Sequence, residues 1–202
     1  MAAIIPNPKR IKSFPTAAAF EAWLEAHHDS ESELWLKIHK KGSGAASVTY
    51  AQALDVALCW GWIDGLKKSF DERSFLQRFS PRKPKSVWSQ INREHVARLI
   101  AEGRMTAHGQ RHIAAAQADG RWDAAYAPMR SVTKETCPAD LRAAIEANPR
   151  ALATFRTLGR QNLFGLAFRV NSMKTPAGRV KKIAALVAML ERGETIVPEK
   201  QR

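Results

Sequence analysis

The chain has 202 residues, 45% hydrophobic and 25% charged, a balance that excludes a disordered or collagen-like polymer and fits a folded globular protein. No apolar run approaches the roughly 20 residues of a membrane-spanning helix, and the two cysteines, Cys59 and Cys137, are too few for a disulfide framework. The net charge of +13 favours an anionic partner, and it is concentrated at Lys67–Arg93 and after Ala151, so a local basic surface is expected there.

In chain order, residues 1–13 read as a flexible, proline-bearing lead-in. They lack the apolar core of a secretory leader, so a cytoplasmic location is expected. Thr16 precedes Phe20, Trp23 and Leu24, the spacing of an amphipathic helix. Leu34, Leu36 and Ile38 alternate as a strand, and the glycines and serines of 40–47 mark a loop. Thr49 caps a second predicted helix carrying Ala53, Leu54, Ala57 and Leu58. Trp60–Ser69 and Ser74–Ser80 read as two strands around a turn at Asp71-Glu72-Arg73.

The remainder reads as helical. Ser86 is the expected cap of a helix with Trp88, Ile91, Val96, Leu99 and Ile100 inward, ended by Gly103. Further helices are predicted at 106–118, after Pro138, around 152–158 and 163–170. A last one begins at Thr175-Pro176, with Val180, Ile183, Val187 and Leu190 inward and Gly193 as its stop. The fold class is α+β. A small sheet with helices fills 14–85, a helical part at 86–193 packs on it as one compact unit, and 194–202 form a tail.

Two runs could carry chemistry. In Ala57-Leu-Cys-Trp-Gly-Trp-Ile-Asp-Gly-Leu66, strand alternation puts Trp60, Trp62 and Asp64 on one face. They form either an aromatic floor with a carboxylate or buried core beside a turn. In Arg78-Phe-Ser-Pro-Arg-Lys-Pro-Lys-Ser-Val-Trp-Ser-Gln-Ile-Asn92, Arg78, Arg82 and Ser86 converge on an expected helix N-terminus, with Trp88 and Asn92 one turn apart. That run is either an anion site or a capped helix entry with solvated charges. His108 and His112 have a two-ligand metal spacing, but Gly109 stands where a zinc protease has glutamate and no third ligand is near in sequence, so no metal site and no cofactor are expected. His27-His28 reads as a helix end. Cys59 reads as a buried small hydrophobe.

These motifs, with Phe79-Ser-Pro-Arg82, Gly120-Arg-Trp122, Gly103-Arg-Met105 with Gly109, and Arg179-Val-Lys-Lys-Ile183, resemble the YdeI/OmpD-associated, bacteriocin-protection family over roughly residues 14–193. Gly178 departs from the threonine expected there, and Lys181 and Lys182 stand where arginine is commoner. The resemblance implies a role in bacteriocin or antimicrobial-peptide resistance and an association with an outer-membrane porin. It brings no catalytic residues, and its periplasmic implication conflicts with the N-terminus.

The resulting expectation is a cytoplasmic ligand-binding or stress-protection protein. Trp60, Trp62, Asp64, Arg78, Arg82, Ser86, Trp88 and Asn92 line a Trp-rich basic cleft for a small anionic or flat ligand. One alternative is an enzyme of unassigned chemistry in the same cleft, with Asp64 as base. Another is a basic nucleic-acid binder, which the absence of any helix-turn-helix, zinc-finger or RNA-binding signature disfavours.

Overall fold

The computed structural model describes residues 5–199. It is α+β, with the sheet confined to the first half, and it divides into two compact units, residues up to Ala125 and residues from Tyr126. The expected division at residue 86 lies inside the first unit.

Of the expected lead-in, residues 1–4 lie outside the described residues, and regular structure begins at Pro8. Pro8–Arg10 form a 3-10 turn capped by Asn7, and β1 (Ile11–Lys12) adds a parallel edge to β2 (Leu34–His39). Between them runs α1 (Ala17–His27), capped by Thr16 through the Ala19 N–H at 3.1 Å. Next comes α2 (Tyr50–Cys59), which opens with a full capping box between Thr49 and Gln52. β3 (Trp62–Ser69) and β4 (Ser74–Pro81) follow, giving the sheet order β1-β2-β4-β3. β3 carries a bulge between Asp64 and Lys67. The buried Gln77 amide donates to the Gly65 carbonyl there at 3.0 Å, satisfying backbone that the ladder leaves unpaired.

α2 has a different neighbour on each side. Ala53, Val56 and Ala57 pack with Phe20, Leu24, Leu36, Trp62 and Phe79 from α1 and the sheet. Leu54, Leu58 and Cys59 pack with Trp88, Val96, Leu99 and Ile113. The last three belong to α3 (Gln90–Ala101) and α4 (Ala107–Ala118). Thr106 joins two ends: its hydroxyl donates to the Cys59 carbonyl at 2.5 Å and accepts from the Gly109 N–H. One side chain thus caps α4 and closes a carbonyl at the C-terminus of α2.

Three local expectations are corrected here. α3 begins at Gln90 with Ser89 as its cap; Ser86 closes a turn, its hydroxyl accepting from the Lys83 N–H at 2.9 Å. Burial of Trp88 holds residues 86–88 out of the helix, and Ile100 on its far side is exposed. Trp60 is not in a strand: it caps α2, and the chain turns through Gly61 at φ +74° before β3 starts at Trp62. Alternation therefore does not relate Trp60 to Trp62 and Asp64.

The second unit is helical: α5 (Ala139–Glu146), α6 (Pro149–Thr157), α7 (Arg160–Asn171) and α8 (Pro176–Glu191), preceded by a 3-10 turn at Met129–Ser131. Its core is Leu141, Ile145, Phe155, Leu163, Leu166, Val170, Ile183, Leu186 and Leu190. Val180, expected inward, is 69% exposed, because Ile183, Leu186 and Leu190 set the buried stripe one step round the helix. Arg179 ties three helices together, with a two-point ion pair to Asp140 of α5 (2.5 and 2.8 Å) and a bond to the Val170 carbonyl of α7. Of the segment expected as a tail, residues 200–202 lie outside the described residues and the rest folds back: Glu199 accepts from the Gly159 N–H at 2.7 Å, and buried Asn162 bonds the Val197 backbone on both sides. Gly159 brings no capping side chain to α7, and Glu199 supplies one. Among the described residues no helix is long and apolar enough to cross a membrane.

Candidate functional site

The loop from β4 to α3 builds the most distinctive cluster of the first unit. The Arg82 backbone N–H bonds the Gly61 carbonyl at 2.9 Å, and its side chain, 5% exposed, turns inward. The guanidinium lies 3.5 Å from the centre of the Trp88 ring and donates to the Val87 carbonyl. Trp88, 2% exposed, meets Trp122 edge-on at 4.9 Å, and Arg93 lies over Trp122 at 5.2 Å. Arg93 also donates to the Trp122 carbonyl. Two tryptophan rings thus stand edge to face between two guanidinium groups, and a desolvated cation–π contact contributes about 2 kcal/mol. Arg121 closes the cluster, holding the Ser86 carbonyl at 2.8 Å while paired with Asp119.

His112 of α4 lies against Gly61, where a Cβ would run into its ring. Burial holds its pKa below the usual histidine value, and the positive charges of Arg82, Arg111 and Arg121 push it the same way. Three arginines thus act on one part-buried imidazole.

The other residues read from sequence lie elsewhere. Asp64 accepts from the Tyr50 hydroxyl at 2.7 Å, and Arg78 pairs with Glu33 at 2.6 Å. Trp62 is buried, its indole N–H on the His28 carbonyl and its ring edge-on to Trp23. Asn92 stands in the first turn of α3, its N–H on Ser89. Arg82, Ser86 and Trp88 come together. Arg93, Arg121, Trp122 and His112 join them; sequence marked Arg121 and Trp122 by Gly120-Arg-Trp122, Arg93 by the basic stretch and His112 by its spacing to His108, and none of these signals tied them to this cluster.

Trp60 belongs to a second cluster. It stacks on His108 (5.5 Å, 17°) and leans on His28 at 5.0 Å. His28 Nε2 is 2.9 Å from His108 Nδ1 and 3.1 Å from Asp29 Oδ2. His108 therefore meets a histidine 80 positions away, a pairing that the spacing to His112 gave no hint of. Burial, followed by the charges of His28 and Arg111, lowers the His108 pKa.

Residues 12–112, half of the chain, match the model of a family described as a domain of unknown function, DUF8412. The chain belongs to that family. Residues 136–193, from the entry to α5 to the end of α8, match the bacteriocin-protection, YdeI- or OmpD-associated family. The resemblance is thus found over the stretch that holds Arg179-Val-Lys-Lys-Ile183, while the motifs of residues 57–92 fall in the DUF8412 region. No curated protein and no solved structure matches the chain.

Proposed function

We propose that the first unit holds a small anionic ligand at the arginine–tryptophan cluster around the 82–89 loop. The observation that carries this reading is the convergence of two guanidinium groups on the 82–89 loop, Arg82 on the Trp88 ring and Arg121 on the Ser86 carbonyl, with exposed Lys83 and Lys85 on the same loop. Trp88 is too buried to stack on a ligand, so the cluster favours an oxyanion over a flat group. Its stacked arginines form a rigid base, and the accessible cations recruit the ligand. The bacteriocin-protection description of the family matched at 136–193 supports placing this binding in a protective role.

Calorimetry and thermal shift with inorganic phosphate, pyrophosphate and ATP at fixed ionic strength test the reading. A ligand at 100 times its Kd stabilises by about 2.7 kcal/mol. That gain should disappear in Arg121→Gln and in the Lys83→Gln/Lys85→Gln double variant. Equal stabilisation of all three proteins would remove the site from this loop. Duplex binding that persists at physiological salt would favour a nucleic-acid partner instead.

A further inference from the structure

We infer that His28, Asp29 and His108 form a binding site for a divalent transition-metal ion of the nickel or copper type.

The argument starts from which nitrogens carry protons. His28 Nδ1 lies 3.0 Å from the Leu24 carbonyl, which can only accept, so Nδ1 donates. The Nε2 of a neutral His28 then presents a lone pair. Arg111 Nη2 lies 2.6 Å from His108 Nδ1 and can only donate, so that nitrogen accepts. Asp29 contributes a carboxylate oxygen. Three electron-pair donors from three side chains converge within 4.8 Å of one another. Two ring nitrogens and a carboxylate oxygen thus face a common point that a metal ion can occupy.

The geometry fits the ion. With the two nitrogens 2.9 Å apart, an ion at about 2.1 Å from each subtends roughly a right angle. The 3.1 Å separation of His28 Nε2 and Asp29 Oδ2 gives nearly the same angle. Right-angled N,N,O coordination suits octahedral or square-based ions and is too narrow for tetrahedral zinc. Orientation of His28 by a backbone carbonyl on its far nitrogen is the support that metal-ligating histidines commonly have. The ligands are held by the end of α1 and the first turn of α4, with Trp60 backing both rings. The Arg111 guanidinium opposes an ion at His108 Nδ1; its side chain is exposed and can swing into solvent when the ion enters.

The test is titration of the tag-free full chain with Ni2+ alone, read by calorimetry and by quenching of tryptophan fluorescence, since Trp60 lies within 5.5 Å of a ligand ring. One Ni2+ should bind. His108→Gln should abolish binding, and Asp29→Asn, at an exposed position that does not threaten folding, should weaken it about tenfold. Arg111→Gln should tighten it, an effect that a merely structural histidine pair does not produce. Failure of the wild type to bind Ni2+ would overturn the inference, as would binding that Asp29→Asn and His108→Gln leave unchanged. Weaker binding in Arg111→Gln would overturn it too.

Discussion

At Gly109, two effects of one methyl group oppose each other. Alanine is favoured over glycine inside a helix by about 1 kcal/mol. A Cβ here, however, would press on the Cys59 and Leu58 carbonyls and on Met105 sulfur. Overpacking against backbone costs about 1–3 kcal/mol, so Gly109→Ala should destabilise in urea unfolding despite the better helix former. Cys59, buried against the same junction, has its thiol pushed up to about 11 from 9.0, chiefly by burial. The unfolded thiol ionises first as pH rises, so the folded state holds more protons between the two values. Stability should therefore fall by about 2–3 kcal/mol from pH 9 to 11 and level off above, as unfolding of Cys59→Ala against wild type would reveal. The threonine caps at 16, 49 and 175 were legible because each closely precedes an apolar series of helical spacing. Ser86 and Ser89 were not separable in this way. Both satisfy local capping chemistry, and what decides between them is Trp88, drawn inward by Arg82 and Trp122 from outside the helix.

Among the elements, α7 is unusual in receiving its cap from 40 residues away. Replacing Glu199 with alanine leaves the Gly159 N–H and part of Asn162 without this acceptor. The side chain is exposed, so the expected loss is about 0.5–1 kcal/mol, at the low end for a helix cap. Denaturant unfolding followed by circular dichroism measures it. Sequence could not show this link, since a glycine before a helix names no partner. The same limit hid the inward turn of Arg82. In a loop of prolines and lysines a charged residue reads as exposed, whereas here the ring of Trp88 and the Val87 carbonyl receive the guanidinium inside. Alternation, by contrast, predicted β2 well because Leu34, Leu36 and Ile38 all face one core.

On the scale of the whole molecule, each unit holds apolar clusters of its own, one from Val132 to Leu190 in the second and two in the first. A fragment of residues 126–202 carries its own core, its Arg179 tie and its Glu199 cap. It should fold without the rest, giving a helical spectrum and a cooperative melt. A molten spectrum from that fragment would show that the core is insufficient. The position of α2 has a consequence for hydrogen exchange. Because both its sides are buried in different clusters, no partial opening of the first unit exposes its amides while either cluster survives. The amides of Val56, Ala57 and Leu58 should therefore exchange only through complete opening of that unit. The slowest amides of α8 should settle at a rate of their own, so one protein in heavy water would report two free energies.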